Sequence, residues 1–132
     1  SSAASDVYKR QAALSAYMRD RRPEQIRQAM ENVDSADFTV LLTHRPELLA
    51  KYAQFPLDLV VSGHAHGGQV RIPGVLNGLY APNQGWFPKL AGGAYTQDGT
   101  TLIVSRGLAV RTRLPRIFNR PEVVLVRCLP AE

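Results

Sequence analysis

The chain has 132 residues, 45% of them hydrophobic, enough for one modest domain or a piece of a larger one; no apolar run approaches the roughly 20 residues that cross a bilayer, and no stretch reads as a signal peptide. A single cysteine, Cys128, excludes an internal disulfide framework, leans toward reducing conditions, and is expected to be inert packing near a strand end. The formal net charge is +5, and the excess gathers from Arg106 onward, where six arginines stand against two glutamates; that field suits an anionic substrate, nucleic acid or an anionic membrane surface, and a solvated basic face explains it equally well.

The first eleven residues, SSAASDVYKRQ, lack apolar periodicity and resemble translated sequencing-adapter sequence. Residues 1–11 are therefore expected to be a non-native leader, with 12–132 forming the C-terminal part of a single domain and native sequence missing upstream of Ala12. From Ala12 the spacing of Ala13, Leu14, Tyr17 and Met18 predicts a helix. Pro23 then opens a second helix in its favoured first-turn position, with Ile26, Ala29, Met30 and Val33 on one buried face.

Phe38 to Thr43, FTVLLT, is β-rich without alternation, the pattern of a strand buried on both faces. Pro46 opens a third helix with a stripe of Leu48, Leu49, Tyr52 and Ala53, ending by Pro56, and Leu57 to Ser62 repeats the buried-strand pattern. Strand, helix and strand in such short order make a βαβ unit with parallel strands. Shorter runs follow at Gln69 to Ile72, Gly93 to Thr96, Thr101 to Ser105 and Glu122 to Arg127. The Asp-Gly of TQDGTT predicts a tight hairpin between the middle two, so the later strands are expected to be antiparallel. Between them GLYAPNQGWFPKLAGG is a long loop expected to be held down by Trp86 and Phe87. The fold class is thus α/β with a mixed sheet, one βαβ unit and then antiparallel strands.

All three histidines fall at carboxyl ends of the two parallel strands: His44 after the first, His64 and His66 after the second. Sites are built at that edge of an open α/β sheet because loops from several strands converge there. Imidazole is the commonest protein metal ligand. A lone histidine near a strand end is more often a surface or hydrogen-bonded group, whereas three of three at one edge point to a metal or catalytic site. Gly63, Gly67 and Gly68 permit backbone conformations closed to other residues and let a ligand or a second segment approach.

LLTHRPELL, followed by DLVVSGHAHGGQVRIP, resembles the C-terminal half of the calcineurin-like metallophosphoesterases. The Gly-His-x-His-Gly-Gly-Gln form is similar to the branch containing YaeI- and YkuE-type phosphodiesterases, as are GGAY, LIVSRGLAV and NRPEVVLVRCL downstream. The resemblance implies a β-sandwich flanked by helices and a metal-dependent phosphoester hydrolase of phosphodiesterase type. It also implies two divalent ions, drawn from Mn, Fe, Zn or Ni, with His44 and His64 on one and His66 on the other. Gly63, Gly67, Gly68 and Gln69 would shape the turn, and Arg106 would face a phosphate-ester substrate, which a lipid could carry. The resemblance implies no specific nucleic-acid partner, leaves room for peripheral membrane association, and fits either a cytoplasmic or an envelope-associated bacterial protein.

The family's Asp-x-His, Gly-Asp and Gly-Asn-His motifs belong upstream of His44, and this sequence has none of them; Asp6, Asp20, Asp34 and Asp37 lack their context. Without the bridging carboxylate, three neutral imidazoles hold one metal at best, so the chain alone is expected to be inactive, with no catalytic residue of its own. Two other readings stay open. One is a mononuclear three-histidine zinc hydrolase with water at the fourth position, and the other is a basic domain that binds polyanions without catalysis.

Overall fold

A computed structural model describes residues 11–15, 23–109 and 114–130. Its principal sheet has five strands in the order β1, β2, β3, β7, β6: β1 (Gln11–Ser15), β2 (Phe38–Thr43), β3 (Leu59–Ser62), β7 (Thr100–Val104) and β6 (Gly93–Gln97). The first four run parallel, and β6 turns back antiparallel on β7 through the expected Asp-Gly hairpin. The architecture is therefore mixed α/β with a mixed sheet, as the sequence predicts, although β7 reaches back to lie parallel to β3.

Register explains the core. Leu41, Val60 and Leu102 are direct partners across β2, β3 and β7, and all three are sealed from solvent. Onto that line pack Ile26 from α1 (Pro23–Met30) and Leu49 and Tyr52 from α2 (Leu49–Tyr52), the latter entered through a 3-10 turn at Pro46–Leu48. Burying each large side chain is worth about 1.5–3 kcal/mol, so this single face carries most of the cohesion. On α1 only Ile26 is fully buried, with Met30 packed at the margin and Ala29 exposed.

Several expectations are corrected. The helix expected from Ala12 is replaced over Gln11–Ser15 by β1, whose in-register parallel pairing with Phe38 through Leu42 overrides the helical preference of Ala and Leu. Tyr17 and Met18 lie outside the described residues, as does the expected leader apart from Gln11, which opens β1. Strand β2 is not buried on both faces. Thr39 and Leu41 face the core, while Leu42 is 46% exposed on the opposite face, where its partners Val61 and Ile103 are half-buried.

The run from Gln69 to Ile72 forms isolated bridges, Val70 with Ile117 and Ile72 with Leu76, instead of a strand. Glu122 to Arg127 lies along the β6–β7 hairpin without joining a strand. Trp86 and Phe87 do not anchor their loop, being 65% and 67% exposed; Trp86 meets Tyr80 edge-on across a two-stranded ribbon of β4 (Tyr80–Ala81) and β5 (Gly85–Trp86). The loop is held by Gln84, which donates to the Leu90 carbonyl and accepts from the Leu90 amide at 2.9 and 3.0 Å. A single side-chain amide satisfies both main-chain groups there, a role no hydrophobic side chain can fill. Cys128 is exposed, so it is not packing. Among the described residues no helix is long and apolar enough to cross a membrane.

Candidate metal centre

The site grows from the carboxyl ends of β2 and β3. Beyond Thr43 the chain turns at His44 and is pinned from below by Tyr52, fully buried on α2. The Tyr52 hydroxyl donates to the Arg45 carbonyl at 3.0 Å and shares a hydrogen bond of 2.9 Å with Thr43 Oγ1. Burial is the main reason the phenol sits above its usual pKa, so it stays neutral and keeps its proton for donation. His44 is left at the surface, beside an ion pair of Arg45 Nε with Glu47 Oε1 at 2.7 Å.

Among the described residues the turn after β3 gathers the densest run of left-handed backbone. His64, His66 and Gln69 have φ of 68°, 48° and 63°, and Gly67 and Gly68 continue the left-handed series at 62° and 67°. Non-glycine residues there cost free energy, and they persist where surroundings over-determine them. The two glycines have a further reason: a Cβ on Gly68 would lie 2.4 Å from Gly78 Cα, and one on Gly67 would lie 2.2 Å from Asn119 Oδ1. At Gly63 an added Cβ would meet open space, so close approach does not require glycine there. Short bonds close the turn on itself, Ala65 N to Gly63 O at 2.9 Å, Gly68 N to Ala65 O at 2.8 Å and Gln69 N to His66 O at 3.2 Å.

This backbone brings the imidazoles together. His44 and His64 have ring centroids 4.2 Å apart, and His64 and His66 are 6.3 Å apart. Burial, then the neighbouring His44 and His66, hold His64 below its ordinary pKa, with Glu47 opposing; burial, then Arg116 and His44, do the same for His66. Both rings are thus biased to the neutral form, which is the form that ligates metal. Three imidazole nitrogens make a donor set for borderline transition metals. His44 and His64 stand close enough to act as a pair, while His66 stands apart. Among the described residues no group of three or more His, Cys, Asp or Glu side chains is placed to hold a metal ion, so the donors that stand together are the His44 and His64 pair.

No family model and no solved structure matches the chain. Curated relatives do. Metallophosphoesterase YkuE of Bacillus subtilis, itself uncharacterised, is 36% identical over 91 residues, which cover 67% of this chain and 30% of that protein. The UDP-2,3-diacylglucosamine pyrophosphatase LpxG of Chlamydia muridarum is 34% identical over 101 residues, covering 68% of this chain and 29% of LpxG. An uncharacterised metallophosphoesterase of Aquifex aeolicus is 32% identical over 101 residues, covering 75% and 36%. The chain belongs to the metallophosphoesterase family. It spans about a third of the length of these metallophosphoesterases.

The metallophosphoesterase motifs draw attention to Arg106, yet the structure ties that residue to Glu122. Its guanidinium forms an ion pair with Glu122 Oε2 and its main-chain N–H donates to Oε1 at 2.9 Å, so each group favours the other's charged form. The side chain lines a groove with Arg71, Asn77 and Phe118, not with the imidazoles. The guanidinium electrostatically coupled to His66 is that of Arg116. Its head is tethered by main-chain carbonyls, Ala109 at 2.7 Å from Nε and Arg106 at 2.7 Å from Nη2, and Nη1 is buried with no partner among the described residues. Sequence inspection missed Arg116 because one arginine among six carries no signal of its own. It also missed Glu47, whose Oε2 is buried without a partner among the described residues and whose charge acts on His64; its place three residues after His44 was the available clue.

Proposed function

We propose that this chain supplies three imidazole ligands to the two-metal centre of a phosphodiesterase-like phosphoester hydrolase. One observation carries the reading: His44, His64 and His66 follow the carboxyl ends of adjacent parallel strands, with His44 and His64 rings 4.2 Å apart and His66 offset at 6.3 Å from His64. That spacing suits His44 and His64 on one ion and His66 on the other. When bound, paired divalent cations of the Mn, Fe, Zn or Ni kind supply Lewis acidity and a water of lowered pKa for in-line displacement at phosphorus. The chain's own residues bias the His64 and His66 imidazoles toward their neutral form, set these two on one turn closed by main-chain hydrogen bonds, and place Arg116 where its charge acts on His66. The oxygen ligands that hold two cations against their mutual repulsion are not among the described residues gathered around the imidazoles.

The substrate class is a phosphate ester or pyrophosphate, and the LpxG relative, by its name a pyrophosphatase for a diacylated sugar nucleotide, favours a lipid-linked one. We also read the sheet as one layer of a β-sandwich, since the face bearing Leu42, Val61 and Ile103 is apolar enough to carry a second layer. The offset of His66 weighs against a single three-histidine zinc site. The pairing of Arg106 with Glu122 and of Arg45 with Glu47 weighs against a free basic patch for nucleic acid. The test is manganese-dependent hydrolysis of bis(p-nitrophenyl) phosphate by the full-length protein. We expect activity that falls at least about 100-fold in His44→Ala and His64→Ala; metal-independent turnover, or turnover indifferent to both changes, would overturn the proposal.

A further inference from the structure

The turn that carries His66 is gripped by a residue much further along the chain. Asn119 is 2% exposed, and its Nδ2 donates to two main-chain carbonyls, His66 O at 2.6 Å and Gln69 O at 3.0 Å. These carbonyls bracket the glycine pair, so one amide group staples both ends of the left-handed series. The other end of the side chain, Oδ1, is buried without a hydrogen-bond partner among the described residues and lies over Gly67, leaving no room for a Cβ there. The neighbouring main chain repeats the grip, with Ile117 N donating to Gln69 O at 3.2 Å and Arg71 N donating to Ile117 O at 3.0 Å.

The grip has work to do, because His64, His66 and Gln69 all sit at positive φ. Each such residue costs on the order of 1–3 kcal/mol, and the conformation holds only where surroundings leave no cheaper one. A buried amide with both N–H groups committed to carbonyls of the turn is a constraint of that kind, since releasing it strands buried polar atoms.

We propose that Asn119 is a positioning residue for the metal centre, locking through His66 O and Gln69 O the turn that aims the His66 imidazole. The inference rests on the imidazole-ligand reading above. Asn119 acts through His66 and touches neither metal nor substrate. What the lock requires is two N–H donors; alanine removes them together with the bulk, and aspartate keeps the shape but turns a carboxylate on the two carbonyls, so neither variant can make the lock.

The experiment is a zinc titration of the chain in competition with a chromophoric chelator, alongside the absorption spectrum of the cobalt-loaded form. The variants are Asn119→Asp, Asn119→Ala and His66→Ala. We expect both Asn119 variants to weaken zinc binding about 10- to 100-fold and to shift the cobalt bands, as loss of groups that orient ligands does elsewhere, with Asn119→Asp no better than Asn119→Ala. A folded Asn119→Asp with unchanged affinity and spectrum overturns the lock. Should His66→Ala match the unaltered chain in both zinc stoichiometry and affinity, the assignment of His66 as a ligand falls and the lock with it. A loss in His66→Ala without one in the Asn119 variants sinks the lock alone. If neither Asn119 variant folds, the side-chain NH2 resonances of Asn119 in the unaltered chain decide: saturating zinc should shift them and slow their exchange, and an unmoved pair overturns the proposal.

Discussion

His64 and His66 stay neutral because they are partly withdrawn from water and face other positive or titrating groups. Their folded pKa values lie below the ordinary imidazole value of 6.5, so the folded chain binds fewer protons there than the unfolded one. The stability this contributes is complete above the ordinary value and is lost as pH falls from there through the lowered folded values. Urea midpoints should therefore decline between about pH 7 and pH 5, and the decline should be shallower in His64→Gln and His66→Gln; a flat profile in the unaltered chain would contradict the assignment. Gly67 makes a second case. Gly67→Ala must accept a φ of 62° and push Asn119 aside from 2.2 Å, so we expect a loss of at least about 2 kcal/mol in chemical denaturation. At this scale the histidines were legible, since type and position after apolar runs sufficed to place them. Asn119 was not, because its partners are main-chain carbonyls, and main-chain carbonyls leave no mark in a sequence.

At the scale of elements, β2, β3 and α2 followed from their residues, and the parallel pairing that puts three imidazoles at one edge followed with them. Pro46, Leu49 and Tyr52 announce a short helix because one apolar stripe has one buried face to meet. Strand β1 was misread since five residues rich in Ala and Leu look helical until a partner strand is present to pair with. The loop around Trp86 was misread for a related reason: aromatic side chains suggest anchors, yet Gln84 satisfies the main chain while Trp86 stays outside. Tyr52 links helix to site. Removing its hydroxyl in Tyr52→Phe should cost about 0.5–1.5 kcal/mol of stability, read by thermal unfolding, and loosen the turn at His44, read as weaker zinc binding. A stable variant with intact zinc affinity would show that the hydroxyl does not hold that turn.

At the scale of the whole molecule, one face of the sheet carries the buried core, and among the described residues the other is partly exposed. The segment from Val123 to Leu129 is β-rich, belongs to no strand, and leaves Leu125 89% exposed. Apolar β-forming residues without a partner are prone to pair with another copy. Leu125→Lys should reduce concentration-dependent association in light scattering while leaving the unfolding temperature within about 2 °C; undiminished association would place the sticky surface elsewhere.

The contact between Asn119 and His66 spans 53 positions. Drawing such distant points together costs chain entropy that only a formed sheet can repay, since its strands already hold the ends near each other. The histidine-bearing edge should accordingly be the last part to assemble during folding, its order inherited from the scaffold beneath it, so that a newly made chain acquires its shape before its imidazoles are aimed.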